Sequence, residues 1–393
     1  MTRSLQAIQR HMEAKGIDTL LVMRPVNVAY LLKWYDYTHM SLVPEQANFL
    51  VVPQQGTPLF VNKGFICGAV EAPGRPDWLT SHHEAPGANP LVEIDFLVEQ
   101  IRGAGWGSGR IGIEMEWLPV AIFEPLREQL PGASLVAADA ILKQARATKD
   151  AHETELLRHA NRLFEQAYET AIAHLAHTGD FQQAMSLLAQ HWARGGGTPH
   201  FVPSQSHGYD WDGIDSDISK KRREVDAARY YYDPDNGEMW GDYCLQYQGY
   251  WLDRGSHQWI WPAKVQDRLQ EIRSQQEAIR AVHWRILDAL QLGMTARTAR
   301  ATLERDLSAD LSQLKMWIVH GIGLDLHEEP CFGSWMMPPD DPRHAEDDEI
   351  RIGQGTVLCV ETVGDVFLEE MYVATASGWQ PLYTRPMQLV WGD

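Results

Sequence analysis

The chain of 393 residues is longer than one hydrophobic core usually grows, so two folded units are expected. Its 53 acidic against 34 basic residues leave a formal net charge of −19, which repels nucleic acid and anionic membrane and argues against both as partners. No apolar run reaches the roughly 18–20 residues needed to cross a bilayer. The 4 cysteines form no CxxC or Cys/His cluster, which fits a reducing, cytoplasmic setting with the thiols packed as small apolar groups.

In chain order, the first 16 residues alternate charged and apolar positions at helical spacing, so a helix over 3–16 is expected rather than a signal peptide or anchor. Strands follow at Asp18–Met23, near Asn48–Val52 and at Pro58–Val61. Another strand, Arg110–Met115, leads through Pro119 into a helix from Val120 to Leu130, stopped by Pro131 and Gly132. This is an α/β unit expected to close at residue 145, leaving 146–393 as a second domain. That domain opens on a long amphipathic helix with Leu156, Leu157, Leu163, Phe164, Ala167, Ala171 and Ile172 on one face. A second long helix is predicted from Val265 to Leu292, ending at Gly293, and Thr295 is placed to cap a third. Strand-like runs at Ala227–Asp233, onward to Trp261 and at Thr356–Thr375 make the second domain helices on an antiparallel sheet, and the whole chain α+β.

Candidate chemistry sits in those later strands. His320 and His327 flank two glycines in HGIGLDLHEEP, and the glycines allow close backbone approach. Glu361 and Glu369 each end an apolar run, where a carboxylate is costly unless paired or bound to metal. Asp242 and Asp253 border a stretch that can fold back as a hairpin, and two close carboxylates call for a cation or a proton between them. Solvated turn aspartates are the bland alternative for that pair. The Trp content, with Trp251, Trp259 and Trp261 near the hairpin and Trp335 near the histidines, fits core packing or a cation-binding pocket.

The ordered set Asp242, Asp253, His320, Glu361, Glu369 resembles the dinuclear site of the creatinase/prolidase superfamily, the pita-bread metallohydrolases of family M24. HGIGLDLHEEP resembles its metal-binding His segment, LCVETVGDVFLEEMYVAT its two Glu strands, and Arg24-Pro-Val-Asn-Val-Ala-Tyr30 the N-terminal domain of the prolidase and creatinase branch. The resemblance implies an N-terminal α/β creatinase-type domain, a C-terminal pita-bread domain and a homodimer. It also implies two divalent metal ions, with Mn, Co, Zn and Fe all compatible with the donor set. Glu361 is then the proton-exchanging group, and His327, His207 and Trp251 are the substrate-binding candidates, with His200 as the alternative to His207.

The pattern leaves alternatives open. A second register puts Tyr247 where the first metal Asp belongs, and a third gives the role to Asp233 or Asp235. The eight-residue spacing of Glu361 and Glu369 requires a very tight hairpin, and Glu370 substitutes if the strand is read one residue on. The polar segment 208–225 reads as a surface excursion. The expected activity is hydrolysis of an amide-type C–N bond in an Xaa-Pro dipeptide or a small nitrogenous metabolite. The competing readings are a metal-dependent lyase resembling dimethylsulfoniopropionate lyase and a metal-free binding relic of the fold.

Overall fold

The computed structural model describes residues 2–33, 48–63, 75–80, 83–85, 90–198, 202–203, 232–233, 235, 237–334 and 345–392. The chain divides into two compact units, Met1–Arg146 and Ala147–Asp393. His200, His207, Trp335, Cys67 and the 208–225 segment lie outside the described residues.

The first unit is built on a mixed six-stranded sheet. Its strands are β1 (Thr19–Val22), β2 (Phe49–Pro53), β3 (Leu59–Lys63), β4 (His83–Ala85), β5 (Gly109–Ile113) and β6 (Ala133–Ala137), in the order β4-β3-β2-β1-β5-β6. Every residue of β1 and β2 is buried, so the strands read as continuous apolar runs. The helices are α1 (Arg3–Lys15), α2 (Pro25–Leu32), α3 (Pro90–Gly103), α4 (Val120–Gln129) and α5 (Asp139–Arg146). Helix α1 starts on Thr2, which caps Leu5 N, and ends on Gly16 at φ 63°, a left-handed position that glycine occupies at little cost. Leu21, Val51 and Ile113 pack against Leu97 and Ile101 of α3 and Leu126 of α4. The Arg24-Pro-Val-Asn segment opens α2, and buried Glu114 explains it. Its carboxylate accepts from the Met23 and Arg24 amides at 2.6 and 2.8 Å and from Asn27 Nδ2 at 2.5 Å. Burial, the largest influence, still raises the Glu114 pKa above its ordinary value.

The second unit opens on α6 (Ala151–Thr178), where Asp150 and Glu153 form a reciprocal capping box. Helix α7 (Phe181–Arg194) packs along it. The sheet contains β7 (Val202–Pro203), β8 (Tyr232–Asp233), β9 (Glu238–Tyr247), β10 (Tyr250–Trp259), β11 (Met316–Gly321), β12 (Glu328–Gly333), β13 (Val357–Val363), β14 (Phe367–Thr375) and β15 (Gly378–Pro381). Its main path runs β12-β11-β13-β14-β10-β9-β7. The second long helix is shorter than predicted: α8 spans Leu269–Ala289, because a 3-10 turn at Pro262–Arg268 takes up its expected start. Thr295 caps α9 (Ala296–Asp306) through Thr298 N at 3.1 Å. Val282 and Ile286 of α8 and Ala299 and Leu303 of α9 cover one sheet face at Val319, Leu358, Val360 and Tyr372. Strand side chains alternate, so the residues between these point to the other face.

Candidate metal centre

The register places the candidate residues on that other face. On β11 and β13, Ile318 pairs with Glu361 and His320 with Cys359; on β13 and β14, Glu361 pairs with Glu369 and Cys359 with Met371. Gly255 of β10 lies between Glu369 of β14 and Asp242 of β9, and Asp253 pairs with Cys244. Five adjacent strands thus bring Asp242, Asp253, His320, Glu361 and Glu369 to one surface. Gly255 lets the Phe367 ring pack against the strand, since a Cβ there would fall 2.5 Å from that ring.

Two hairpins produce this arrangement. In the first, Gln248 and Gly249 both have positive φ, 47° and 82°, as a two-residue primed turn requires, and Tyr247 pairs with Tyr250 across it. Asp242 and Asp253 are therefore diagonal neighbours on one face. Tyr247 has the opposite parity and lies against His159 and Trp192, on the helices, so the register that would put it in the first Asp's place is corrected. Asp233 pairs with Glu238 on the short β8, away from this group, and Asp235 follows it in a turn. The second hairpin is as tight as the spacing demands, with Val363 paired to Phe367. Glu370 takes the back face, where its carboxylate accepts from Met387 N at 2.8 Å and from Tyr372 OH at 3.1 Å, so it does not replace Glu369.

The His segment is braced from behind. A bulge in the β11–β12 pairing falls between His320 and Gly321. A Cβ on Gly321 would lie 2.6 Å from Glu329 O and one on Gly323 2.8 Å from the Glu328 carboxylate, so the two glycines permit the fold-back. Glu328 in turn binds Lys149 in a buried 2.8 Å ion pair and accepts from Asp325 N. Trp251, half-buried on the site's face one pleat from Asp253, donates its backbone N–H to Gly323 O at 2.7 Å. His327 is exposed, with its ring edge-on to His320 at 4.5 Å between centroids.

The electrostatics of this group are unresolved by protein atoms alone. His320 is fully buried; its Nδ1 lies 2.9 Å from Gly321 O and is the natural N–H donor, leaving the lone pair on Nε2. That Nε2 has no hydrogen-bond partner among the described residues and stands 3.7 Å from Asp253 Oδ2 and 3.9 Å from Glu369 Oε1. Burial, then the neighbouring His327, pushes the His320 pKa down to about 3, so the ring is neutral. Burial comes first in raising the carboxyls as well. Asp253 is pushed well up by burial and then by Asp242, Glu361 by burial and then by Asp242 and Asp253, and Glu369 by burial and then by Asp253, Glu361 and Asp242. A neutral imidazole lone pair facing crowded carboxylates is a donor set that a divalent cation fits.

The thiols add a feature that the sequence reading lacks. Cys359, buried in the core as expected of a small apolar residue, also stands with Asp253, His320 and Glu369 in a group whose candidate ligand atoms all lie within 4.8 Å of one another. Cys244 stands likewise with Asp242 and Asp253 in a group that is only partly buried. Strand alternation carried the signal, since each cysteine is two residues from a candidate carboxylate, Cys359 from Glu361 and Cys244 from Asp242.

Residues 155–380 match the model of Metallopeptidase family M24, and residues 4–148 match the Creatinase/Prolidase N-terminal domain. The chain belongs to metallopeptidase family M24. Its architecture is a creatinase-type N-terminal domain followed by an M24 domain, with mixed helices and sheets. This M24 chain is similar in fold to the X-Pro aminopeptidase from Thermotoga maritima, with a TM-score of 0.66 at 18 % identity over 97 % of this chain and 99 % of that one. It is likewise similar to the prolidase from Pyrococcus horikoshii, with a TM-score of 0.66 at 16 % identity over 99 % and 100 % of the two chains. Ectoine hydrolase from Halomonas elongata is 26 % identical over 168 residues, a match spanning 40 % of this chain and 40 % of that protein. Among the described residues no helix is long and apolar enough to cross a membrane.

Proposed function

We propose that this M24 protein is a metal-dependent hydrolase of an amide-type C–N bond, with two divalent ions held by Asp242, Asp253, His320, Glu361 and Glu369. The observation that carries this reading is the buried Nε2 of His320, which faces Asp253 and Glu369 and has no hydrogen-bond partner among the described residues. When bound, divalent ions polarise a substrate carbonyl and make water acidic enough to ionise near neutrality. Glu361 is the proton carrier in this proposal: with Asp242 it is one of two partly exposed carboxylates of the cluster, placed to take a proton from water and return it to the leaving nitrogen. His327, exposed beside His320, donates or accepts a hydrogen bond with the substrate, and Trp251 supplies an apolar wall.

The substrate is an Xaa-Pro dipeptide or a small nitrogenous metabolite; the partial match to ectoine hydrolase supports the metabolite branch. The test is a panel of Xaa-Pro dipeptides, cyclic amidines, creatine and sulfonium acids, run with each of Mn, Co, Zn and Fe in heavy-oxygen water. Turnover of a C–N substrate with the label in the carbonyl product supports the proposal. Turnover by elimination without label assigns a lyase, and failure of every substrate with fully metal-loaded protein rejects the hydrolase reading. A homodimer belongs to the same proposal and is checked by sedimentation equilibrium.

A further inference from the structure

We infer that Cys359 is a sulfur ligand in this centre, making one of its two positions a mixed N/O/S site. The inference rests on the metal-binding reading above and adds a donor outside the five residues assigned there.

The geometry of one buried corner carries it. Cys359 pairs directly with His320 on β11 and is one pleat from Glu361, so its side chain enters the same surface as theirs. Its Sγ is 3.5 Å from Glu369 Oε1, and His320 Nε2 is 3.7 and 3.9 Å from Asp253 Oδ2 and Glu369 Oε1. In a tetrahedral site with metal–sulfur bonds near 2.3 Å and metal–N or –O bonds near 2.0 Å, ligand edges are about 3.5 Å for S to O and about 3.3 Å for N to O. The sulfur edge already matches, and the imidazole edges close by roughly half an ångström.

A thiol serving only as a hydrogen-bond donor, to Glu369 Oε1 or to the Asp253 carbonyl oxygen, each 3.5 Å away, is the simpler alternative. A cation held by Asp253, His320 and Glu369 alone would also satisfy the His320 Nε2 lone pair, so the case for sulfur rests on its place within 4.8 Å of all three of their ligand atoms. On binding, the Cys359 S–H bond breaks, its proton leaves to solvent, and the sulfur lone pair forms the bond to the ion. Sulfur shifts the preference of the position towards thiophilic ions such as Zn and Co and away from Mn. Cys244 is the internal control, because its group holds two carboxylates and no imidazole.

The experiment is absorption spectroscopy of the full chain titrated with Co(II), with cobalt content measured on the same samples. Wild type is expected to show a near-ultraviolet thiolate-to-cobalt charge-transfer band that is lost in Cys359→Ser and kept in Cys244→Ser. If Cys359→Ser does not fold, X-ray absorption of cobalt-loaded wild type reads the same point as a sulfur scatterer at about 2.3 Å. Cobalt uptake without the band or the scatterer, or a band that persists in Cys359→Ser, overturns the sulfur ligand and leaves the metal site standing. Absence of any cobalt uptake overturns the metal-binding reading itself.

Discussion

Glu361 and Glu369 face each other as direct cross-strand partners on β13 and β14, and burial followed by neighbouring carboxylates raises the pKa of both. Like charges directly opposite on a sheet destabilise it unless something intervenes. Without metal, the fold therefore keeps protons on groups that the unfolded chain releases near pH 4.3, and stability falls as pH rises through the raised folded values. His320 works in the opposite sense, since its lowered pKa costs stability only as pH falls below about 6.5. The two effects separate by comparison with Glu361→Gln/Glu369→Gln, which keeps the histidine. Chelator-stripped wild type is expected to lose stability relative to this double variant as pH rises from about 4.3. A difference in melting temperature that stays constant or moves the other way contradicts the assignment.

Asp242 and Tyr247 lie on opposite faces of β9, so they differ in what their loss does. Asp242→Asn is expected to weaken metal binding by more than the roughly 10- to 100-fold typical of outer-shell partners. Tyr247→Phe is expected to leave metal content unchanged. Calorimetric titration of both variants decides, and the reverse outcome restores the alternative register.

His327 sits beside His320 but outside the ligand cluster. His327→Ala is expected to keep its full metal content while kcat/KM falls by about 10²- to 10³-fold, the range for a lost polar group at a reacting carbonyl. Loss of metal in this variant would make His327 a ligand and not a substrate contact.

Behind the sheet, Arg254 is wholly buried, 3.2 Å from Glu165 and 3.8 Å from Glu370. Arg254→Ala removes the buried cation shared by Glu165 and Glu370, which keep only neutral hydrogen-bond donors, and is expected to cost about 3–5 kcal/mol by urea denaturation. Glu370→Gln is expected to retain metal binding; loss of metal there would return Glu370 to the ligand set.

Much of this was legible in the sequence because β-structure has a period of two. Asp253, Glu361 and Glu369 border apolar runs, and the tight spacing of the two glutamates could only be met by a short hairpin that pairs them directly. The first Asp was open because Gly241 resembles a strand start in more than one register; the Gln248–Gly249 turn, which sets the register, is weakly marked when its first residue is Gln. Cys359 and Cys244 are not legible beside the carboxylates, because spacing along the chain does not show partners on neighbouring strands. The start of α8 is not legible because Pro262 favours a first turn without dictating whether it is α or 3-10.

Metal uptake by the stripped protein is the most direct test of the central claim. Titration with Co(II) or Zn(II), followed by calorimetry and elemental analysis, is expected to give two bound ions per chain in wild type and a marked loss in His320→Ala. A folded wild-type protein that takes up no divalent metal would contradict the account.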